Sequence, residues 1–308
     1  MAHITFIHGI ANKPAPDVLL NIWRRSLAHD DGLDLGAEGV TSSMVYWADV
    51  LYEKPDEDEA AFESVEGSME KQEEDIDMSW QKKLTGEEAR RMTALAKKLN
   101  FEVPGDEDFE PPEEQIGAEF ERIPLPWWLK RRLMKTLLRD VHHYLFNEQS
   151  SPRPGVSYRV QDEIRKRMLD ALREGAAKSA PHLIVSHSMG TVIAYDCLKR
   201  APDCPQVDSL MTIGSPLGLD EVQDLLQPEW TREDGYPKER LRGGWANVYD
   251  RFDPVAGFDP NIANDYQRSN QRVIDDINEQ NSGKWRHNIT KYLRGVKLRR
   301  TLSSFLGL

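Results

Sequence analysis

The stretch Pro181-His182-Leu183-Ile184-Val185-Ser186-His187-Ser188-Met189-Gly190-Thr191-Val192-Ile193-Ala194-Tyr195 constrains the fold of this chain more than any other. An apolar run too short for a helix meets a tight turn of small residues, and a second apolar run with helical spacing follows at once. A short, continuously apolar run suits a strand buried on both faces, as in a parallel sheet covered by helices. A passage from strand to helix with no connecting loop strains the residue at the corner. Bulky side chains two positions to either side would collide with the crossing backbone. Ser186 and Gly190 occupy those positions and are small. Ser188 stands at the corner with its hydroxyl exposed and the N-terminus of the following helix aimed at it, and His187, its neighbour, should point away from that hydroxyl.

The rest of the chain repeats the alternation. Residues 4–7 read as a strand, and Pro14, Pro16 and Asp17 lead into a helical pattern through Leu19, Leu20, Trp23 and Leu27. A second strand is expected over 43–47. After Ser150-Ser151-Pro152-Arg153-Pro154, a helix is predicted over 160–173, strands over 183–185, 210–213 and 246–249, and a helix over 191–199. Such alternation predicts the α/β class, with a mainly parallel sheet and helices on both faces.

Residues 53–152 interrupt the pattern and read as a large, mostly helical insertion, which leaves 1–52 and 153–308 as the core. The acidic stretch over 53–77, with only Lys54 and Lys71 to offset it, repels itself and reads as solvated. A helical pattern over 81–100 (Leu84, Ala89, Met92, Leu95, Leu99) precedes a Pro- and acid-rich linker over 103–114. A basic amphipathic helix then runs from Trp127 to Phe146, with Leu129, Leu133, Leu137, Val141 and Leu145 recurring every four residues. A regular apolar stripe predicts burial against the core. Trp127 and Trp128, with their basic flanks, leave a peripheral membrane contact as the alternative, and either way the insertion is expected to lie over Ser188 as a cap.

Composition narrows the partners. The formal net charge of −12 argues against nucleic-acid binding, which needs clustered Lys and Arg. No run approaches the roughly 20 apolar residues that a membrane helix needs. The N-terminal MAHITFIHG enters a strand with no leader pattern, and Cys197 and Cys204 form no CxxC pair, so a cytoplasmic setting is expected. No metal motif and no nucleotide loop are visible, and no cofactor is called for.

A serine hydroxyl needs a general base, itself oriented by a carboxylate. The residues that could supply one are His287, in Lys284-Trp285-Arg286-His287-Asn288-Ile289, and a turn carrying Asp250 and Asp253 in Tyr249-Asp250-Arg251-Phe252-Asp253-Pro254-Val255. Together with His8-Gly9 after the first strand, Ser186 to Gly190, and Thr212-Ile213-Gly214-Ser215-Pro216-Leu217-Gly218, these segments resemble the α/β-hydrolase superfamily, in particular its esterase- and lipase-like members. The resemblance spans roughly residues 1–50 and 155–308 and does not reach the insertion.

That resemblance implies an α/β-hydrolase fold with a cap, Ser188 as nucleophile, and a chain order of Ser, then acid, then His. His287 is the one histidine after Ser188. Asp253 is the preferred acid, Asp250 the runner-up and Asp259 a distant third, with the unused turn carboxylate capping its loop. The oxyanion donors would be the amides of Met189 and of Ile10 or Gly9, with His8 holding the loop shape. Hydrolysis of carboxylic esters, with a small-molecule ester or acyl substrate, is the expected chemistry. An acyltransferase, thioesterase or peptidase on the same residues, or a catalytically silent binding protein, is the alternative.

Overall fold

A computed structural model describes residues 1–57, 79–98, 127–282 and 285–308, with the side chains of 127–134 outside that set. The expected acidic stretch beyond residue 57, the linker over 103–114 and the side chains of Trp127 and Trp128 therefore lie outside the described residues.

Six parallel strands form one sheet in the order β2-β1-β5-β6-β7-β8: β1 His3–Ile7, β2 Thr41–Val45, β5 His182–His187, β6 Ser209–Ile213, β7 Trp245–Tyr249 and β8 Ile274–Asn278. A two-stranded antiparallel ribbon, β3 Gln149–Ser150 with β4 Tyr158–Arg159, stands apart. Besides a single turn at Asp220–Gln223, the described α-helices are α1 Pro16–Ala28, α2 Gly86–Lys98, α3 Trp127–Leu145, α4 Val160–Ala176, α5 Met189–Arg200, α6 Ile289–Arg294 and α7 Val296–Leu306. The chain is thus α/β, with a parallel sheet covered on both faces. Each predicted strand and helix of the core forms within a few residues of its expected bounds. β8 went unpredicted because Ile-Asp-Asp-Ile-Asn is not an apolar run; it is an edge strand with one neighbour.

Two apolar layers flank the sheet. On one side Leu19, Trp23 and Leu27 of α1 pack with Ile289, Leu293, Leu298 and Leu302 against Ile4, Phe6, Leu183 and Val185. On the other, Ile164, Met168 and Leu172 of α4 and Val192, Ile193 and Leu198 of α5 pack with Ile184 and Leu210. Strand side chains alternate between the two layers, which is why consecutive residues of β1 and β5 are all apolar or buried.

The insertion joins the second layer. Trp80, Met92, Leu95 and Ala96, and Leu137, Leu138, Val141 and Tyr144, are buried in the same cluster. The described half of the amphipathic helix α3 therefore meets the core, as its stripe predicts. Two buried carboxylates lock it there. Asp196 of α5 accepts from Tyr144 Oη (2.7 Å) and from Arg165 Nε and Nη2 (2.6 and 2.7 Å), linking α3 to α4 and α5. Asp140 of α3 accepts from Arg139 and, at 2.9 Å, from the amide of Ala11 in the loop after β1. Among the described residues, no helix is long and apolar enough to cross a membrane.

Candidate active site

β1 has β2 on one side and β5 on the other, so the order of the sheet reverses between β1 and β5. Loops leaving the carboxyl ends of strands at such a reversal part to opposite faces and open a crevice. Ser188 follows β5 and His8-Gly9 follows β1, so both lie at that crevice.

Ser188 has φ 54° and ψ −129°, a conformation that non-glycine residues rarely hold. It persists because both sides are committed: the Ser188 amide donates to the Ile213 carbonyl at 2.9 Å, and the Thr191 amide and hydroxyl donate to the Ser188 carbonyl at 2.9 and 2.7 Å. α5 begins at the next residue, so its positive end points into the crevice. Gly9 lies against the serine. A Cβ there would stand 2.6 Å from Ser188 Cβ, so any larger residue would displace the side chain.

The predicted partners converge. Ser188 Oγ lies 2.9 Å from His287 Nε2, and His287 Nδ1 lies 2.9 Å from both oxygens of Asp253. The three residues, 34 to 99 positions apart in sequence, form one buried hydrogen-bonded chain. Asp253 is held by more than the imidazole. Tyr292 Oη donates to its Oδ2 at 2.7 Å, and the amides of Val255 and Ala256 donate to its Oδ1 at 2.7 and 3.2 Å. Burial alone would raise the Asp253 carboxyl, but the adjacent His287 imidazole, with Tyr292 and the Val255 amide, brings it below the usual carboxylate value. It stays ionised where it can fix the imidazole with Nδ1 protonated and Nε2 free to take a proton.

Asp250 has the capping role expected of the unused carboxylate. Its Oδ1 accepts the Phe252 amide at 2.7 Å, and its Oδ2 accepts the Asn281 amide at 2.7 Å and the Arg286 guanidinium at 3.1 Å. Since Asn281 and Arg286 both lie shortly before His287, Asp250 ties the loop carrying Asp253 to the segment carrying His287. Asp259 makes no hydrogen bond to His287 among the described residues.

His8 donates from Nδ1 to the Gly9 carbonyl at 2.8 Å and accepts the Trp47 amide at Nε2 at 3.0 Å. Burial, with Lys13 nearby, holds its pKa well below the ordinary value, so it is a neutral brace for the loop. The amides of Ile10 and Met189 make no hydrogen bond with the described residues, which leaves both available to an anionic oxygen beside Ser188.

Three residues have supporting roles that the sequence did not reveal. His187 does lean away from the hydroxyl, but its Nε2 donates to the His287 carbonyl at 2.9 Å and its ring lies 4.7 Å from the His287 ring, so it braces the base from behind. Tyr292 Oη accepts the Asp250 backbone amide at 2.8 Å while donating to the Asp253 carboxylate, and so ties the start of the turn to Asp253. Gly214, at φ +55°, leaves room for the pair: a Cβ there would sit 3.0 Å from Asp253 Oδ2 and 3.2 Å from His287 Nδ1. Tyr292 carried one legible signal, its place in the helical pattern that follows His287, but an apolar-spaced tyrosine reads first as core.

No protein-family model matches the chain, and no curated protein matches it. What the site can do therefore follows from its geometry: a hydroxyl on a strained corner, hydrogen-bonded to an imidazole whose other nitrogen faces a carboxylate, beside two unengaged amides.

Proposed function

We propose that this protein is a serine hydrolase with an α/β-hydrolase fold, which cleaves carboxylic esters through an acyl-enzyme. The observation that carries the proposal is the Ser188–His287–Asp253 chain, set at the sheet reversal with Ser188 in its positive-φ corner. A carboxylate, an oriented imidazole and a hydroxyl on a tight corner, in that order, form an arrangement suited to acyl transfer.

In the reaction, Ser188 Oγ attacks the acyl carbon as His287 Nε2 takes its proton, and the carbonyl oxygen becomes an oxyanion facing the amides of Ile10 and Met189. Collapse of the tetrahedral species breaks the bond to the alcohol oxygen, which leaves with the proton from His287. Water then attacks the acyl-enzyme by the same path in reverse, releasing the acid and restoring Ser188. Asp253 keeps its charge throughout and stabilises the imidazolium. The insertion, joined to the loop after β1 through Asp140, would bound the acyl group as a cap.

Labelling with a fluorophosphonate probe tests the proposal directly. The chain should label stoichiometrically, and Ser188→Ala should not. Turnover of p-nitrophenyl esters, compared with thioesters and anilides, then separates an esterase from a thioesterase or amidase. An unlabelled chain would mean that the fold serves binding and not catalysis.

A further inference from the structure

A second polar cluster lies within the insertion, where α2 meets the end of α3. Thr85 and Glu88 form a capping box at the start of α2: the Thr85 amide donates to Glu88 Oε2 at 2.6 Å and the Glu88 amide to Thr85 Oγ1 at 3.3 Å. One carboxylate oxygen of Glu88 is thereby engaged by the turn before α2. His142, near the end of α3, and Glu148, just beyond it, each bring a ligand atom to within 4.8 Å of the other two residues'.

His142 is the anomaly. It is 2 % exposed, and neither ring nitrogen has a hydrogen-bond partner among the described residues. Its ring stacks on Trp80 at 4.4 Å and meets Phe146 at 5.0 Å, so apolar packing occupies its faces and leaves its nitrogens at the edges. A buried imidazole with no partner bears the full desolvation of those atoms. Two half-buried carboxylates brought together repel one another. A single cation relieves both at once.

We propose that Glu88, His142 and Glu148 bind a divalent transition-metal ion of the zinc type that ties α2 to the end of α3. One imidazole and two carboxylates are nitrogen and oxygen donors matched to that class, with water completing the coordination. The site stands apart from Ser188 and from any reading of its chemistry. No motif announces it in the sequence, since Glu88 and His142 are drawn from two helices with no fixed spacing.

The test uses the whole chain, stripped with a chelator and titrated with Zn²⁺ by calorimetry and with Co²⁺ by visible absorbance. One equivalent of either ion should bind, and saturating Zn²⁺ should raise Tm by several degrees. His142→Phe keeps the ring packed on Trp80 while removing both nitrogens. It should weaken Zn²⁺ binding more than about 100-fold without lowering the metal-free Tm. Glu148→Gln removes a second ligand and decides the matter if His142→Phe fails to fold. The proposal is overturned if the native chain binds neither ion stoichiometrically, or if both ions bind Glu148→Gln as tightly as the native chain.

Discussion

At the carboxyl ends of β5 and β7 every side-chain polar atom of Ser188, His287 and Asp253 has a partner, whereas at the junction of α2 and α3 the nitrogens of His142 have none among the described residues. Each has a buried imidazole at its centre, and both are drawn from distant parts of the chain. The first is saturated from within, with Tyr292, Val255 and Ala256 filling the remaining capacity of the acid. The second has a buried imidazole whose nitrogens have no partner among the described residues. A saturated cluster has its polar capacity met from within the chain, and an unsaturated one leaves capacity for a partner from outside.

The contrast breaks most visibly if Ser188 is removed. Ser188→Ala should lower kcat on p-nitrophenyl esters by at least about 10⁴ with Tm unchanged, because the three residues act as a unit. Residual turnover near the native rate would place the chemistry elsewhere. Comparing the two turn carboxylates sharpens the same point. Asp253→Asn should cost about 10³–10⁴ in kcat, since an amide cannot fix the imidazole in the required tautomer. Asp250→Asn should cost roughly tenfold, through loosening of the turn before His287. Steady-state kinetics of the pair would reveal a reversed order at once.

Smaller effects probe the seam between the regions. Asp140→Ala leaves the Ala11 amide without its partner and takes the carboxylate from the Arg139 guanidinium, which keeps only Tyr52, so it should lower Tm and reduce kcat by roughly tenfold, with little change in KM, as the loop carrying Ile10 relaxes. A kcat unaffected by this substitution would separate the insertion from the oxyanion loop. The mildest effect is that of pH on stability. Burial lowers the pKa of His182 to about 4, His3 is also lowered, and His8 is held well below 6.5. The folded state resists protonation that the unfolded chain accepts, so these residues contribute stability that is complete above about pH 6.5 and is lost as the pH falls towards 4. Melting curves across that window should show Tm declining on acidification. A flat profile would contradict the burial of these rings.

Much of the site was legible because its chemistry is local. The corner at Ser188 is written in the small residues Ser186 and Gly190 between a strand and a helix, and the brace at His8 in the glycine that follows it. His287 was singled out only by the chain order that the resemblance to α/β-hydrolases implies. Asp253 and Asp250 could not be separated so firmly, since both follow β7 within a few residues and differ only in which one the imidazole meets. β8 was missed because an edge strand, with one neighbour, can carry acidic residues that a central strand cannot.

By itself, then, the sequence determined the elements and their class: strand and helix are set by spacing along a few consecutive residues, and so is the strained turn between them. Only the tertiary structure decided which carboxylate meets His287, that Tyr292 ties the start of the turn to Asp253, that Asp140 reaches across from the insertion to the loop after β1, and that Glu88, His142 and Glu148 converge. These are contacts between side chains dozens of positions apart, and the order of strands in the sheet and the packing of helices on it bring them together. No periodicity in the chain encodes that order.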